Sequence, residues 1–272
     1  MKFSVLMSLY IKETGSNLNE CLESIFSQTV MPDEIVVVKD GPLSEDVEDV
    51  LEKYIKKDER LFRIISLKQN EGLGRALAKG IMACSYNLIA RMDTDDICRK
   101  DRFEKQLKEF ENNPELDIVG SHIYEFEGNI SNVLSERKVP ILHEEICKYQ
   151  KRRSAFNHMT VMFKKNSVLR AGNYQHALLM EDDLLWVNMI LSGAKCKNID
   201  DFLVYARTGV NMIERRGGWS YFKKYKHGRK IIYDTGFISG WDYYSTVFVQ
   251  FIVGMLPKKL RLYVFIKCLR KN

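Results

Sequence analysis

Residues 88–96 read Leu-Ile-Ala-Arg-Met-Asp-Thr-Asp-Asp, an apolar run that ends in three carboxylates within four positions. The apolar start predicts a strand over residues 88–92. Carboxylates this close together repel one another unless a cation lies between them. A divalent ion with oxygen ligands, Mn²⁺ or Mg²⁺, would remove that repulsion. The alternative is a helix start capped by Asp96, which would not explain Asp93 at the strand end.

Strands and helices alternate on both sides of this segment. Strands separated by helices of this length form parallel βαβ units, so we expect an α/β fold with an open, doubly wound, mostly parallel sheet flanked by helices. Ser16 or Asn17 is expected to cap the first helix, and Ser44 the second. Strands are predicted over residues 3–9, 34–38, 62–67, 88–92 and 116–119, and helices over 18–26, 45–57, 74–83 and 99–111.

Polar or glycine residues follow each of the first four predicted strands. Ligands of doubly wound sheets bind at the carboxyl ends of the strands, so these loops are expected to surround one site. Taken alone, Asp40-Gly41 is more typical of a plain turn, and Gly72 and Gly74 fit either phosphate binding at a helix start or simple packing. The residues delivered to this edge include Ser8, Tyr10, Glu13, Asp40, Asn70, Gly72, Arg75, Asp93, Thr94 and Asp95.

A second acidic cluster, Glu181-Asp182-Asp183, precedes an apolar helical segment. Acidic residues are favoured in the first turn of a helix, so the cluster has a purely structural interpretation. The functional interpretation is a general base, because a carboxylate near a metal-bound diphosphate can remove a proton from an attacking hydroxyl group. The sequence leaves both open.

The C-terminal end of the chain is basic. The net charge is +6, and residues 215–230 and 258–271 contain cations and no acid. Such a surface suits membrane lipid, nucleic acid or a phosphorylated substrate. Residues 246–256 are apolar but only about half as long as a bilayer span. We expect an interfacial helix on an anionic membrane, the alternative being a helix packed on the catalytic domain with a solvated basic face.

The cysteines and the N-terminal sequence indicate the cellular compartment of the protein. The six cysteines have no metal-type spacing, so we expect reduced thiols of a cytosolic protein. A strand-like run starts directly at Phe3, and the sequence shows no signal-peptide pattern. A cytoplasmic protein, peripheral on the inner face of the cytoplasmic membrane, is the expectation.

Five short motifs follow one another along the chain. They are Phe3-Ser4-Val5-Leu6-Met7-Ser8-Leu9-Tyr10, Val36-Val37-Val38-Lys39-Asp40-Gly41, Asn70-Glu71-Gly72-Leu73-Gly74, Arg91-Met92-Asp93-Thr94-Asp95-Asp96 and Glu181-Asp182-Asp183-Leu184-Leu185-Trp186. In this order they resemble the family 2 glycosyltransferases, which are inverting enzymes of the GT-A fold. The resemblance runs from about Lys2 to about Arg216, and it implies a GT-A domain over residues 1–215. Its nucleotide-binding half would be 1–120 and its acceptor half 121–215, followed by a basic helical region over 216–272.

The resemblance implies a role for each matching position. Asp40 is similar to the aspartate that hydrogen-bonds the donor base, and Tyr10 and Glu13 lie where the first loop lines the nucleotide. Asp93 would lie near the ribose and sugar, Asp95 would bind the metal, Asp182 would be the base, and Glu181 would lie beside the acceptor. Contacts to the acceptor or diphosphate are expected from His158, Trp186, Arg215 and Arg216. Ser8-Leu9-Tyr10-Ile11 and Pro42 depart from the usual family pattern, which leaves the base and ribose contacts open.

The implied reaction moves a sugar from a nucleoside-diphosphate donor, with a UDP-hexose or UDP-N-acetylhexosamine expected, to a hydroxyl group. The resemblance to bacterial O-antigen, capsule and exopolysaccharide enzymes implies a lipid-linked oligosaccharide acceptor and a β-linkage. No nucleic-acid partner is expected. Two other classes stay open: a nucleotidyltransferase that makes activated sugars, and a nucleotide-binding module without catalysis. The segment from Ser8 to Ser16 lacks the glycine-rich basic loop that the former would need.

Overall fold

The computed structural model describes residues 1–177, 179–208, 217–257 and 260–261. Its described residues form one mixed sheet with helices on both faces, which confirms the α/β class. The strands are β1 Phe3–Leu9, β2 Glu34–Lys39, β3 Phe62–Ser66, β4 Leu88–Arg91, β5 Ile97–Cys98, β6 Leu116–Phe126, β7 Val133–Arg137, β8 Met162–Lys164 and β9 Lys195–Arg207. The helices are α1 Gly15–Phe26, α2 Glu45–Ile55, α3 Leu73–Ala83, α4 Arg102–Asn112, α5 His143–Gln150, α6 Lys165–Arg170, α7 Glu181–Leu191, α8 Gly218–Asp234 and α9 Gly240–Met255.

The strand order explains where the site forms. The order is β3-β2-β1-β4-β8-β6-β9-β5, with β7 beside β6. Strands β1 to β4 pair in parallel, whereas β8 runs antiparallel between β4 and β6. Strand β6 consequently points the same way as β4, and β9 is parallel to β6. The carboxyl ends of β1, β2, β3 and β4 therefore lie side by side, with the antiparallel β8 next to β4.

Two hydrophobic cores cover the two faces of the sheet. In β1, Val5 and Met7 face the core beneath α1, α2 and α4, whereas Leu6 faces the core beneath α3 and α7. Alternation of buried side chains along a strand produces this division. Gly80 lets α3 approach the sheet closely, because a Cβ atom there would lie 2.3 Å from Cδ1 of Leu6.

Most predicted elements are present, with corrections at the helix starts. Helix α1 begins at Gly15 and is capped by Thr14, whose side chain accepts the amide hydrogen of Asn17, so the predicted caps are wrong. Ser44 does precede α2 but makes no side-chain capping bond. Helix α4 begins at Arg102, because the residues just before it form β5 and pair with β9. The alternative interpretation of Asp96 as the cap of this helix is therefore wrong as well.

The expected helical C-terminal extension consists of α8 and α9 in the described residues. It packs on α7 through a third core that includes Met180, Val187, Ile232 and Tyr243. Within the residues described, no helix is both long and apolar enough to cross a bilayer. The predicted domain boundary at 215 and the basic tail beyond Arg261 lie outside the described residues. The five cysteines that the structure describes are free thiols.

One face of α9 exposes large apolar side chains, spaced three or four residues apart as on one side of a helix. Phe248, for example, is 63% exposed. We call this set the α9 stripe. It consists of Trp241, Tyr244, Phe248, Ile252 and Met255.

Candidate active site

Three carboxylates form a compact acidic triad directly after β4. Oxygen atoms of Asp93, Asp95 and Asp96 all lie within 4.8 Å of one another. Burial, together with the neighbouring charges of Asp93 and Glu13, raises the pKa of Asp95 to about 7. Burial also raises the pKa of Asp96, whose Oδ2 atom is buried without a hydrogen-bond partner. Clustered hard oxygen donors of this kind suit Mg²⁺ or Mn²⁺, so the residues fit the predicted metal.

Two arginines hold the triad in place, and sequence reasoning assigned neither of them a role. Arg91 is buried and forms an ion pair with Asp93. The backbone N–H of Arg207 donates to Asp96 at 2.7 Å, and its Nε donates to the carbonyl oxygen of Asp95 at 3.0 Å. A charged residue inside an apolar strand was a detectable signal for Arg91. Arg207 gave none, because pairing of β9 with β5 brings it to the triad.

The loop after β1 is tied to the same cluster. The Thr94 hydroxyl donates to the Glu13 carboxylate, which also accepts the amide hydrogen of Thr14 at 2.9 Å. Ser8 is half-buried at the end of β1, and Tyr10 is exposed beside it. The structure thus brings the predicted residues of the first and fourth loops together.

Asp40 organises the loop that follows β3. Its two carboxylate oxygens accept the amide hydrogens of Glu71 at 2.7 Å and Gly72 at 3.1 Å. Gly41 has a φ of 91°, and a Cβ atom there would lie 2.8 Å from the backbone nitrogen of Asn70. Asp40 therefore does more than close its own turn, because it fixes the neighbouring loop. Asn70 and Arg75 are exposed at that loop and at the start of α3.

The second acidic cluster forms the first turn of α7, close to the start of α3. A Cβ atom on Gly74 would lie 2.8 Å from Cγ of Glu181, so that side chain packs directly against α3. Burial, together with the adjacent charge of Asp183, raises the pKa of Asp182 to about 7. Asp183 accepts a hydrogen bond from Nε2 of Gln150 at 2.8 Å. Helix capping alone does not account for a carboxyl group with so high a pKa.

Three aromatic side chains, His158, Tyr174 and Trp186, pack together near the first turn of α7. His158 Nε2 and the Tyr174 hydroxyl are hydrogen-bonded at 2.8 Å, and the His158 ring lies edge-on to Trp186 with centroids 5.9 Å apart. Trp186 is 1% exposed, so the structure does not place it on a ligand-facing surface as expected. It packs in the core because its position on α7 faces the sheet. Arg215 and Arg216 lie outside the described residues.

A cleft of about 670 Å³ opens beside Asp182, between the catalytic domain and the C-terminal helices. His158 and Asp183 also line it. Asp182 thus lies in the wall of an open cleft and interacts electrostatically with Arg91, the partner of Asp93. The two acidic clusters, which lie far apart in the sequence, therefore lie within electrostatic range of the same buried guanidinium group.

The model of the family described as Glycosyl transferase family 2 matches residues 4–176, more than half of the chain. The chain belongs to glycosyltransferase family 2. This membership confirms the glycosyltransferase class, which the nucleotidyltransferase alternative does not fit. It also argues against a binding module without catalysis.

Relatives of this glycosyltransferase include enzymes named for polysaccharide assembly. The amylovoran biosynthesis glycosyltransferase AmsE of Erwinia amylovora is 38% identical, with 97% of this chain and 98% of AmsE covered. The UDP-Gal:alpha-D-GlcNAc-diphosphoundecaprenol beta-1,3-galactosyltransferase of Escherichia coli is 36% identical, with 99% and 97% covered. Similarity over nearly the whole of both chains includes the C-terminal helices.

Solved structures support the fold of this glycosyltransferase. The mannosyltransferase PcManGT from Pyrobaculum calidifontis, in complex with GDP-Man and Mn²⁺, superimposes with a TM-score of 0.62 at 13% identity. The alignment covers 97% of this chain and 79% of that one. The mixed sheet and flanking helices of this chain superimpose on that structure, which confirms the predicted GT-A fold.

Proposed function

We propose that this glycosyltransferase moves a hexose or N-acetylhexosamine from a UDP-sugar to a hydroxyl group of a lipid-linked saccharide in surface polysaccharide biosynthesis. The transfer inverts the anomeric centre and makes a β-linkage. One observation carries the proposal: the buried Arg91 guanidinium forms an ion pair with Asp93 of the acidic triad and its charge also acts on the Asp182 carboxyl group. A metal-type cluster and a candidate base in one site are what a single displacement at a diphosphate sugar requires.

The donor is assigned to the edge where the loops after β1, β2, β3 and β4 meet. Glu13 of the first loop accepts the hydrogen bond of Thr94 within the triad segment, and Tyr10 is exposed in that same first loop. Contact of Asp40 with the uracil stays a prediction, because its carboxylate already accepts two amide hydrogens. The E. coli relative is named for UDP-Gal, which supports a uridine donor.

Asp93 and Asp95 are the proposed metal ligands. When bound there, Mn²⁺ or Mg²⁺ would neutralise the negative charge that develops on the diphosphate leaving group. The mannosyltransferase of the same fold was solved with Mn²⁺, which supports this choice. Arg91 and Arg207 keep the carboxylates in position for the ion.

Asp182 is the proposed general base. A carboxyl group with a pKa of about 7 is half ionised near neutral pH, so its carboxylate form can accept the proton of the attacking hydroxyl group. The hydroxyl group then attacks the anomeric carbon on the face opposite the leaving diphosphate. Glu181, next to Asp182 in the same helical turn, is assigned to the acceptor side.

Two observations support a lipid-linked acceptor: the name of a relative and the exposed apolar surface of α9. The E. coli relative is named for a sugar carried on diphosphoundecaprenol. In this chain, the α9 stripe exposes apolar side chains that water solvates poorly, and the sequence around it is rich in cations. We assign this side of the molecule to an anionic membrane, at the inner face of the cytoplasmic membrane.

A transfer assay tests the proposed function. The enzyme would be incubated with Mn²⁺, an α-N-acetylglucosaminyl diphosphate carrying an undecyl chain, and UDP-glucose, UDP-galactose or UDP-N-acetylglucosamine in turn. We expect transfer from one of these donors, with a β-linkage shown by the anomeric proton coupling in the NMR spectrum. An α-linked product, or transfer from none of the UDP-sugars, would reject the proposal.

The base assignment has its own test. Asp182→Asn should bind UDP normally but lose transfer activity by about 10²–10⁴-fold, because the amide is nearly isosteric yet accepts no proton. Single-turnover rates and UDP calorimetry measure the two effects separately. Activity within a few-fold of the wild type would place the base elsewhere, at Glu181 or Asp183.

A further inference from the structure

The wall of the cleft beside Asp182 is rich in arginine. Five arginines line it, against two aspartates, Asp182 and Asp183. A volume of about 670 Å³ is in the usual range for small-molecule sites. This excess of positive charge next to a candidate base indicates that an anionic ligand enters here. The arginines are Arg137, Arg152, Arg153, Arg229 and Arg261.

Arg229, on α8, is the most informative of them. It is 4% exposed, and one terminal nitrogen donates to the carbonyl oxygen of Lys151 at 2.8 Å. Its Nε atom is buried without a hydrogen-bond partner, and no described carboxylate forms an ion pair with it. A buried guanidinium that lacks an anion is unfavourable. An anionic ligand in the cleft would correct this imbalance.

Arg152 supplies a second cation from the segment after α5. Its Nε donates to Asp242 of α9 at 2.8 Å, and its side chain is 61% exposed where it lines the cleft. Guanidinium groups bind phosphate oxygens in pairs of parallel hydrogen bonds. A buried and an exposed arginine on the same cleft suit a diphosphate better than a single carboxylate.

The cleft is continuous with the α9 stripe. Val249 and Val253 of α9 line the cleft, and Val249 is also largely exposed, next to Phe248. A ligand with its phosphates at the arginines would therefore have an apolar surface beside it. Lipid-linked saccharides combine a diphosphate with a long hydrocarbon chain, and both parts find a matching surface here.

We propose that this cleft binds the diphosphate of the lipid-linked acceptor through Arg152 and Arg229, and that the hydrocarbon chain leaves along the α9 stripe. The proposal rests on the proposed function, because it takes the acceptor to be lipid-linked. It places the acceptor sugar next to Asp182 and assigns the C-terminal helices a direct part in acceptor selection.

Calorimetry with undecyl diphosphate and undecyl maltoside, both below their micelle concentrations, tests the site directly. Saturating UDP and Mn²⁺ would keep the donor site occupied. The wild type should bind undecyl diphosphate at least about tenfold more tightly than undecyl maltoside, and Arg152→Gln and Arg229→Gln should each weaken binding of the diphosphate by about tenfold or more. Arg152→Lys should retain part of the affinity.

The matched control is Lys226→Gln, which removes an exposed cation of α8 that does not line the cleft. It should leave binding of undecyl diphosphate within about twofold, since isolated surface charges contribute little. UDP affinity should be unchanged in every variant, which shows that the donor site is folded. If Arg229→Gln does not fold, the exposed Arg152 decides the outcome.

The proposal is overturned if the wild type does not prefer the diphosphate, or if the arginine variants bind it as well as Lys226→Gln does. Its failure is distinguishable from failure of the proposed function. Normal transfer to the undecyl-linked acceptor by Arg152→Gln would reject the cleft alone. Selective diphosphate binding without transfer from any UDP-sugar would reject the proposed donor and reaction but support the cleft.

Discussion

At the scale of single residues, charge and burial set the chemistry of the site. Asp95 and Asp182 have a pKa raised to about 7, because loss of solvation and neighbouring carboxylates both disfavour the ionised form. A bound cation would stabilise the Asp95 carboxylate, and the hydroxyl group of the acceptor would supply the proton that Asp182 accepts. The buried Arg91 forms an ion pair with Asp93, and its charge also favours the ionised form of Asp182, so it limits the electrostatic cost of having both clusters nearby.

Substitution of the central acid of the triad tests the metal site. Asp95→Ala should abolish the Mn²⁺-dependent part of UDP binding, because the ion that would bind the diphosphate loses a protein ligand. Calorimetry with UDP, with and without Mn²⁺, measures this part. Asp49→Ala, an exposed acid of α2, is the control and should bind as the wild type does. Undiminished Mn²⁺-dependent binding by Asp95→Ala would remove it from the metal site.

The pH dependence of transfer reports on Asp182. Because a base acts in its ionised form, the rate should be highest above pH 7 and fall as the pH decreases through the pKa of about 7. Asp183→Asn removes a negative charge that raises this pKa, so its acidic limb should shift to lower pH. Profiles of kcat at saturating Mn²⁺ and substrates provide the comparison. If the acidic limb of the Asp183→Asn profile lies at the same pH as that of the wild type, the titrating group is not Asp182.

At the scale of elements, close helix-to-sheet contact positions the loops. Helix α3 carries the loop held by Asp40 at its start, and Gly80 allows its middle to touch β1. The register of β9 with β5 brings Arg207 to the triad in the same way. The site thus depends on packing far from any ligand.

Gly80→Ala tests the importance of this contact. Alanine favours a helix by up to about 1 kcal/mol over glycine, yet its Cβ would lie 2.3 Å from Leu6, and overpacking of this kind costs about 1–3 kcal/mol, so we expect a net loss of up to about 2 kcal/mol in the free energy of unfolding. Gly254→Ala in α9 is the matched control, because its nearest neighbour would be at an ordinary 3.7 Å, and it should not destabilise. Denaturant unfolding gives the free energy of unfolding of both variants and of the wild type. Equal values would show that α3 moves away from β1 without cost and would contradict the prediction.

At the scale of the whole molecule, the C-terminal helices join the catalytic domain to an exposed apolar surface. Helices α8 and α9 share a core with α7, the helix that carries Asp182. The α9 stripe is turned away from that core and is exposed. Contact of the stripe with a membrane would hold the cleft at the surface where a lipid-linked acceptor is found.

Vesicle co-sedimentation tests membrane association. The full chain should bind vesicles of anionic lipid, and binding should weaken as salt rises because each cation near the surface contributes about 1 kcal/mol. A chain that ends at Met255 should lose most of the salt-sensitive part, and Phe248→Ser with Ile252→Ser should lose the apolar part. Met82→Ser, an exposed apolar residue of α3, is the control. Equal, salt-insensitive sedimentation of all four proteins would reject the membrane assignment.

The sequence alone determined the α/β class, the first four parallel strands and the two acidic clusters, because each depends on local pattern. Short apolar runs rich in β-branched residues between turn signals form buried strands, and carboxylates at the ends of parallel strands reach the same edge of a sheet. Helix starts were less certain, since Thr14 and Asp101 compete with neighbouring polar residues for the cap position. Only the tertiary structure brought Arg207 to the triad, buried Trp186 and placed Arg152 and Arg229 on one cleft. These residues are distant in the chain, and strand pairing and helix packing, which no local pattern encodes, decide what they contact.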